Sequence, residues 1–401
     1  MAHQETSISR LMLLMICAGA FIGASGQSPI AKERGTNPMA RSQINGEDVV
    51  ILRRKMTGNG KQPEFLSATV LPGRGMNLFQ ITAYLPGKGE TNLLASPSLA
   101  EAAEVLTGTG PDRYGDKSHS FGAAFLVPFA NRIRGKVSAD KSTVTIMWQG
   151  QQLQIAANWR GKTQQVEPHA MHGFIMKAKS VNVRTEQTAD GATVSGEIRN
   201  EDMTGQWFSQ NEVSITESLS GGAIDLNVTV KNVGQMPEPV GVGWHPYFAI
   251  QSGDRKQLRL HLPGSQVTEV NNHTDEFPTG KLSPVENTTY DFTSKKGAPL
   301  EDHFYDDSWV SLKKGSDGQS VSEIMDPATH LGIRITALSP EINAVQVYAP
   351  PDKPYVALEP QFNWNDPFGS EWQGKDTHMV TLLPGHSVAW RVRVELFVVG
   401  N

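Results

Sequence analysis

The segment Gly243-Trp244-His245-Pro246-Tyr247-Phe248 sets an imidazole among aromatic residues, immediately before a proline. Proline disfavours helical geometry in the residue ahead of it, so His245 is expected at a strand end with a defined side-chain direction, as a positioned acid or base would be. A core histidine hydrogen-bonded inside an aromatic cluster is the competing reading. A second segment, Tyr355-Val356-Ala357-Leu358-Glu359-Pro360-Gln361-Phe362-Asn363-Trp364, puts a carboxylate at the end of an apolar strand, again before proline. Burial there raises a carboxyl pKa and suits a general base; a structural glutamate accepting backbone hydrogen bonds is the alternative.

Three further polar groupings stand out. Asn131-Arg132-Ile133-Arg134-Gly135 follows the apolar Phe125-Leu126-Val127-Pro128-Phe129. An arginine after a buried strand can aim its planar fork into a cleft and clamp hydroxyls or a carboxylate, or it can close a turn at the surface. His169-Ala170-Met171-His172-Gly173-Phe174 carries two imidazoles that could share a metal on a helix. Pro168 and Gly173 flank them and no cysteine or third ligand is near, so no metal is expected and a single loop-presented imidazole is the better functional reading. Glu301-Asp302-His303-Phe304 is followed by Asp306 and Asp307, and most of these acids read as solvated loop charges.

The elements that must position these groups are strands. Ile224, Leu226, Val228 and Val230 alternate with Asp225, Asn227 and Thr229, and Trp390, Val392, Val394 and Leu396 alternate with Arg391, Arg393 and Glu395. Each run has the period of a strand with one buried face. Shorter runs occur at Val144 to Trp148, Val181 to Val183 and Leu258 to Leu262, separated by turn signals such as Gly150, Gly221-Gly222 and Pro263-Gly264. The persuasive helix is Ser98 to Leu106, with a serine cap and Glu101 three residues on. Many strands, short turns and little helical period indicate an all-β fold, a large antiparallel β-sandwich, with no compositional break over residues 48–401 and no fixed repeat.

With 401 residues and 38% apolar content the chain is long enough for a substantial core. Its 36 Lys+Arg against 41 Asp+Glu, a net charge of −5, argue against nucleic acid as a partner. The amino terminus reads as an export signal over residues 1–26: a polar start to Arg10, an apolar stretch from Leu11 to Ile22 too short to span a bilayer, and small residues Ala24, Ser25 and Gly26. Residues 27–47 read as a flexible leader. The expectation is an exported protein, periplasmic or secreted, without membrane attachment after signal cleavage. The one cysteine, Cys17, lies in the signal, so a mature chain has no thiol chemistry.

Taken in order, Asn131-Arg132-Ile133, His172-Gly173-Phe174, His245-Pro246-Tyr247-Phe248, Asp302-His303-Phe304 and Glu359-Pro360 resemble the aldose 1-epimerase (galactose mutarotase) family, and Leu383-Pro384-Gly385 adds to the likeness. The resemblance runs from about Val49 to Val399 and implies a galactose mutarotase-like β-supersandwich. It implies Glu359 as general base, His245 as general acid and His172 as a second active-site imidazole. Arg132, with Asn131 beside it, and Asp302 would hold sugar hydroxyls. Trp244, Tyr247 and Trp364 would pack against the C–H faces of the ring.

The implied reaction interconverts the α and β anomers of a free aldose. A proton leaves the C1 hydroxyl while another reaches the ring oxygen, so one base and one acid suffice, with no cofactor and a small sugar as substrate. A hexose-6-phosphate 1-epimerase would use the same pair and add rim cations such as Arg134 or Lys177. A non-catalytic carbohydrate-binding protein would lack the acid or the base. A glycosidase would need a second matched carboxylate.

Overall fold

The computed structural model describes residues 42–161 and 165–400. The expected signal over residues 1–26 lies outside the described residues. The folded part begins earlier than the leader boundary at residue 47 would have it. Gln43–Ile44 pairs with Glu47–Asp48 as a tight hairpin. Its turn residues Asn45 and Gly46 both have positive φ, 54° and 80°, the backbone that an Asn-Gly hairpin turn requires. Ile44 is buried with Leu71, Phe79, Ala102 and Leu106, so this polar-looking stretch is anchored by one apolar side chain.

The expected helix forms over Leu99–Val105 with a reciprocal cap: Ser98 Oγ accepts from the Glu101 N–H at 3.3 Å, and the Glu101 carboxylate accepts from the Ser98 N–H at 2.9 Å.

Two large antiparallel sheets carry the fold. The first has nine strands in the order Val181–Gln187, Ala192–Ile198, Asn211–Leu219, Ala223–Asn232, Ser387–Val398, Leu331–Ala337, Ser320–Asp326, Arg259–His261 and Ala298–Pro299. Both strongly alternating runs lie at its centre and pair in register, Leu226 with Val392 and Val228 with Trp390. The second sheet has seven strands in the order Pro278–Pro284, Gly264–Val270, Tyr305–Leu312, Ala344–Ala349, Tyr355–Gln361, Gly243–Ala249 and Ala123–Leu126. Leu226, Val228, Trp390 and Val392 from one sheet form a single buried cluster with Phe125, Trp244, Phe248, Val345, Val356 and Leu358 from the other. This is the β-sandwich that the strand pattern implied.

One core contact bears on the functional strands. Trp390, fully buried, donates its indole N–H to the Pro360 carbonyl at 3.1 Å and stands edge-on to Phe125 at 6.1 Å. It thereby ties the nine-stranded sheet to the strand that bears Glu359. Trp390→Phe removes the N–H donor and part of a buried ring; a loss of about 2–4 kcal/mol is expected by chemical denaturation, and an unchanged midpoint would show that this contact carries no stability.

Candidate active site

Strand parity decides which side chains reach the site. In Gly243–Ala249, Trp244 and Phe248 point into the core, while His245 and Tyr247 line a cavity on the opposite face of the seven-stranded sheet. Trp244, expected to stack on a sugar, is instead fully buried and donates its indole N–H to the Ala123 carbonyl. Successive strand residues face opposite sides, so His245 in the cavity excludes its neighbour from it. Trp364 is likewise packed away, against Trp372.

The same alternation brings in the neighbouring strands. Gly243 pairs with Gln361 and Tyr247 with Ala357, which sets His245 opposite Glu359. Glu359 pairs with Gln346, and Tyr348 with Asp306. The result is one face carrying Asp306, Tyr348, Tyr355, Glu359, His245 and Tyr247, all lining the cavity.

Prolines shape the centre of this face. Even-numbered residues of the two strands point their N–H groups at each other, as the bond from Phe362 N–H to the Val242 carbonyl shows. Pro246 and Pro360 therefore remove donors on both sides of the pair, and the ladder is interrupted between Gly243–Gln361 and Tyr247–Ala357. Within that gap His245 Nε2 lies 3.3 Å from Glu359 Oε1.

The Asn131-Arg132 and His169-His172 segments form one ribbon. Arg132–Ile133 pairs with Ala170–Met171, and the His172 N–H bonds to the Asn131 carbonyl at 3.0 Å. Asn131 and His172 both have left-handed φ, 59° and 63°, and both line the cavity. The chain beyond Glu359 braces the ribbon: Asn363 bonds both ways with the Ala130 backbone, and Asn365 Oδ1 accepts from the Arg132 N–H.

Asn131 also links the two carboxylates. Its Nδ2 donates to Gln361 Oε1 at 2.9 Å and to Gln346 Oε1 at 3.3 Å. Gln361 in turn donates to Glu359 Oε2 at 3.0 Å, and Gln346 donates to Asp306 Oδ1 at 2.6 Å. Arg132 is buried at the cavity wall, ion-paired with Glu276 and, at 3.4 Å, with Asp306.

Asp302 does not belong to this group. It is exposed and pairs with Lys256 Nζ at 2.7 Å; of the acids in this run it is Asp306, four residues on and 9% exposed, that lines the cavity. Nothing in the run of acids distinguishes Asp306, because Tyr305–Leu312 is buried on both faces over most of its length and lacks clean alternation. Two other cavity residues, His119 and Glu276, sit in segments without periodic pattern, and nothing in their sequence surroundings marks them. His119 completes a group of three imidazoles, 5.1 Å from His172 and 5.9 Å from His245, with His172 and His245 edge-to-face at 5.0 Å.

Burial dominates the protonation of the site. Desolvation pushes Glu359 well above the usual carboxylate range, and the nearby Asp306 charge pushes the same way against the Gln361 hydrogen bond. Desolvation also depresses His245 to about 4, His119 to about 3 and His172 well below its usual value. The Glu359–His245 pair therefore favours its uncharged forms and holds one proton between two groups. Groups that could ligate a metal in threes are absent among the described residues.

The fold and site together describe an antiparallel sandwich that carries a buried carboxyl–imidazole pair in a polar cavity. The sequence profile of the aldose 1-epimerase family matches residues 94–395, and the chain belongs to that family. Among solved structures it is similar to a putative aldose 1-epimerase from Escherichia coli K12 (TM-score 0.62, 18% identity, covering 88% of this chain and 100% of that one). It is also similar to a galactose mutarotase-like protein from Clostridium acetobutylicum (0.66, 15%, 88% and 99%) and to an aldose epimerase homologue from C. elegans (0.62, 17%, 85% and 97%). At these identities the likeness is one of fold. No curated protein matches the sequence.

Gly173 fixes the presentation of His172. Its φ is 72°, and a Cβ there would lie 2.2 Å from the Val127 carbonyl oxygen; Gly374 also has positive φ, 79°, but open space around it. Gly374→Ala should cost about 1 kcal/mol, from backbone strain alone. Gly173→Ala should cost distinctly more, and equal midpoint shifts in denaturation would show that Val127 yields freely.

Proposed function

We propose that the protein is an aldose 1-epimerase that interconverts the α and β anomers of a free aldose, with Glu359 and His245 as the reacting pair. The observation that carries this reading is their 3.3 Å approach in a cavity of about 600 Å³, where burial disfavours both charges. With the ring closed, the reactive arrangement is Glu359 carboxylate and His245 imidazolium. Glu359 accepts the proton of the C1 hydroxyl while His245 Nε2 gives its proton to the ring oxygen. The C1–O5 bond breaks and C1 becomes an aldehyde carbon.

Both protein groups are then uncharged, which is the arrangement that their surroundings favour. The ion pair is the minority form of the resting site, reached by proton transfer from Glu359 to His245, and ring opening returns both groups to the uncharged forms that burial favours. Rotation about C1–C2 presents the other face of the carbonyl, and the two proton transfers run in reverse. His172 and Arg132 border the pair, and Asp306, held by Gln346, offers an acceptor for a sugar hydroxyl. Asp306 takes the role expected of Asp302.

A phosphorylated substrate has less support. Arg134 is committed to Asp366 and Glu371 at 2.8 and 2.9 Å, Lys177 bonds to the Gly108 carbonyl, and neither lines the cavity. A binding protein without activity is disfavoured because acid and base are both present and in contact. Export to the periplasm or medium is part of the proposal, supported by the apolar stretch Leu11 to Ile22 and the small residues after it.

Polarimetry on freshly dissolved α-anomers of glucose, galactose, xylose and arabinose tests the activity. Glu359→Gln should lower kcat/KM roughly 10²–10⁴-fold with the fold intact; near-normal rates in that variant would remove Glu359 from the reaction.

The pH profile follows from the single shared proton. Below about pH 4 a second proton enters at His245 and leaves no base. Above the raised pKa of Glu359 the shared proton is lost and leaves no acid. The kcat/KM profile should be a bell with its acid limb near pH 4 and its alkaline limb above the ordinary carboxylate range, whereas an acid limb centred at the ordinary histidine value would contradict the assignment.

A further inference from the structure

The cavity is larger than one sugar ring. A hexopyranose has twelve non-hydrogen atoms and occupies on the order of 150–200 Å³ at close packing, against about 600 Å³ here. The excess space has a definite character. The wall carries half-buried aromatic side chains, Tyr348 and Tyr355 against Tyr247, Phe304 against Tyr348, and Trp159 past His119, none of which belongs to the buried core clusters.

Trp159 is the most telling of these. Its backbone is fixed by two hydrogen bonds with His169, each 3.1 Å, in an isolated bridge. Its ring meets His119 edge-on at 5.4 Å, and His119 lies 5.9 Å from His245, so the indole stands two ring-to-ring steps from the reacting pair. The indole therefore lies no more than about 11 Å from the His245 ring, close enough for a second pyranose stacked on it to be joined to one at the reacting pair. A rigid indole with a wet face, held at that distance in a polar cavity, is suited to stack on the C–H face of a second sugar.

We propose that the preferred substrate class is a reducing oligosaccharide. Its terminal aldose sits at Glu359 and His245, and the next residue packs on Trp159. The proposal rests on the epimerase reading above and adds an outer subsite to it. Free hexoses would fill the inner part of the cavity alone.

The test compares glucose with maltose, cellobiose and lactose, all of which end in a reducing glucose, so that the reacting ring is held constant. The wild-type protein should convert at least one disaccharide with kcat/KM above that for glucose. Trp159→Ala should raise the disaccharide KM at least tenfold more than the glucose KM, and Trp159→Phe should recover much of the difference. Equal losses on glucose and disaccharides, or a tenfold preference for glucose over all three disaccharides, would overturn the subsite. Calorimetric titration of wild-type and Trp159→Ala proteins with the same sugars reads the subsite without turnover. Tighter binding of a disaccharide than of glucose, lost in Trp159→Ala, supports it even if no sugar is converted, in which case the epimerase reading is what fails. Disaccharide binding no tighter than glucose overturns it.

Discussion

The structure turns on one alignment: two prolines placed so that His245 and Glu359 face each other across a gap in a sheet. An antiparallel pair normally spends its inward N–H groups on ladder bonds. Pro246 and Pro360 withhold them where the two side chains meet. The register is held by the paired residues on either side and, from behind, by Trp390 on the Pro360 carbonyl. The core of the sandwich thus sets the distance between a carboxyl and an imidazole more than a hundred positions apart in the chain.

Everything else around the pair limits its freedom. Asn131 connects Gln361 and Gln346, and through them the carboxylates of Glu359 and Asp306, so that two acids are oriented by one side chain. The left-handed backbone at Asn131 and His172 lets a two-residue ribbon turn both side chains into the cavity. The asparagines after Glu359, at 363 and 365, close the arrangement by binding the ribbon's backbone. With the surroundings this fixed, little reorganisation would accompany the proton transfers proposed for the pair.

Much of this was legible in the sequence where a repeating pattern reports burial. The alternating runs at Ile224 and Trp390 became the centre of the nine-stranded sheet, and the capped helix formed as its Ser98 and Glu101 required. The ordered motifs at Asn131, His172, His245 and Glu359 do converge on one cavity. Errors arose where period or context failed. Trp244 lies beside His245 in a strand, and alternation itself excludes it from the site. Asp302 and Asp306 look alike in a run of acids, and only the pairing of Tyr305–Leu312 with Ala344–Ala349 separates a surface ion pair from a cavity wall. His119, Glu276 and Trp159 come from a single 3-10 turn, a loop and an isolated bridge, too short for a local pattern to encode their geometry. The Asn45-Gly46 hairpin was hidden in a polar stretch by its brevity, with Ile44 its single buried anchor.

The central claim is that Glu359 and His245 form one buried unit holding a single proton. Nitrogen-15 NMR of the imidazole of His245, assigned with a His245→Asn variant and followed in the sugar-free protein from pH 5 to 8, addresses it directly. The account predicts a neutral imidazole across that range, with protonation only at lower pH. An imidazolium signal that titrates at the ordinary histidine value would mean that the ring behaves as an independent, solvated base and would contradict it.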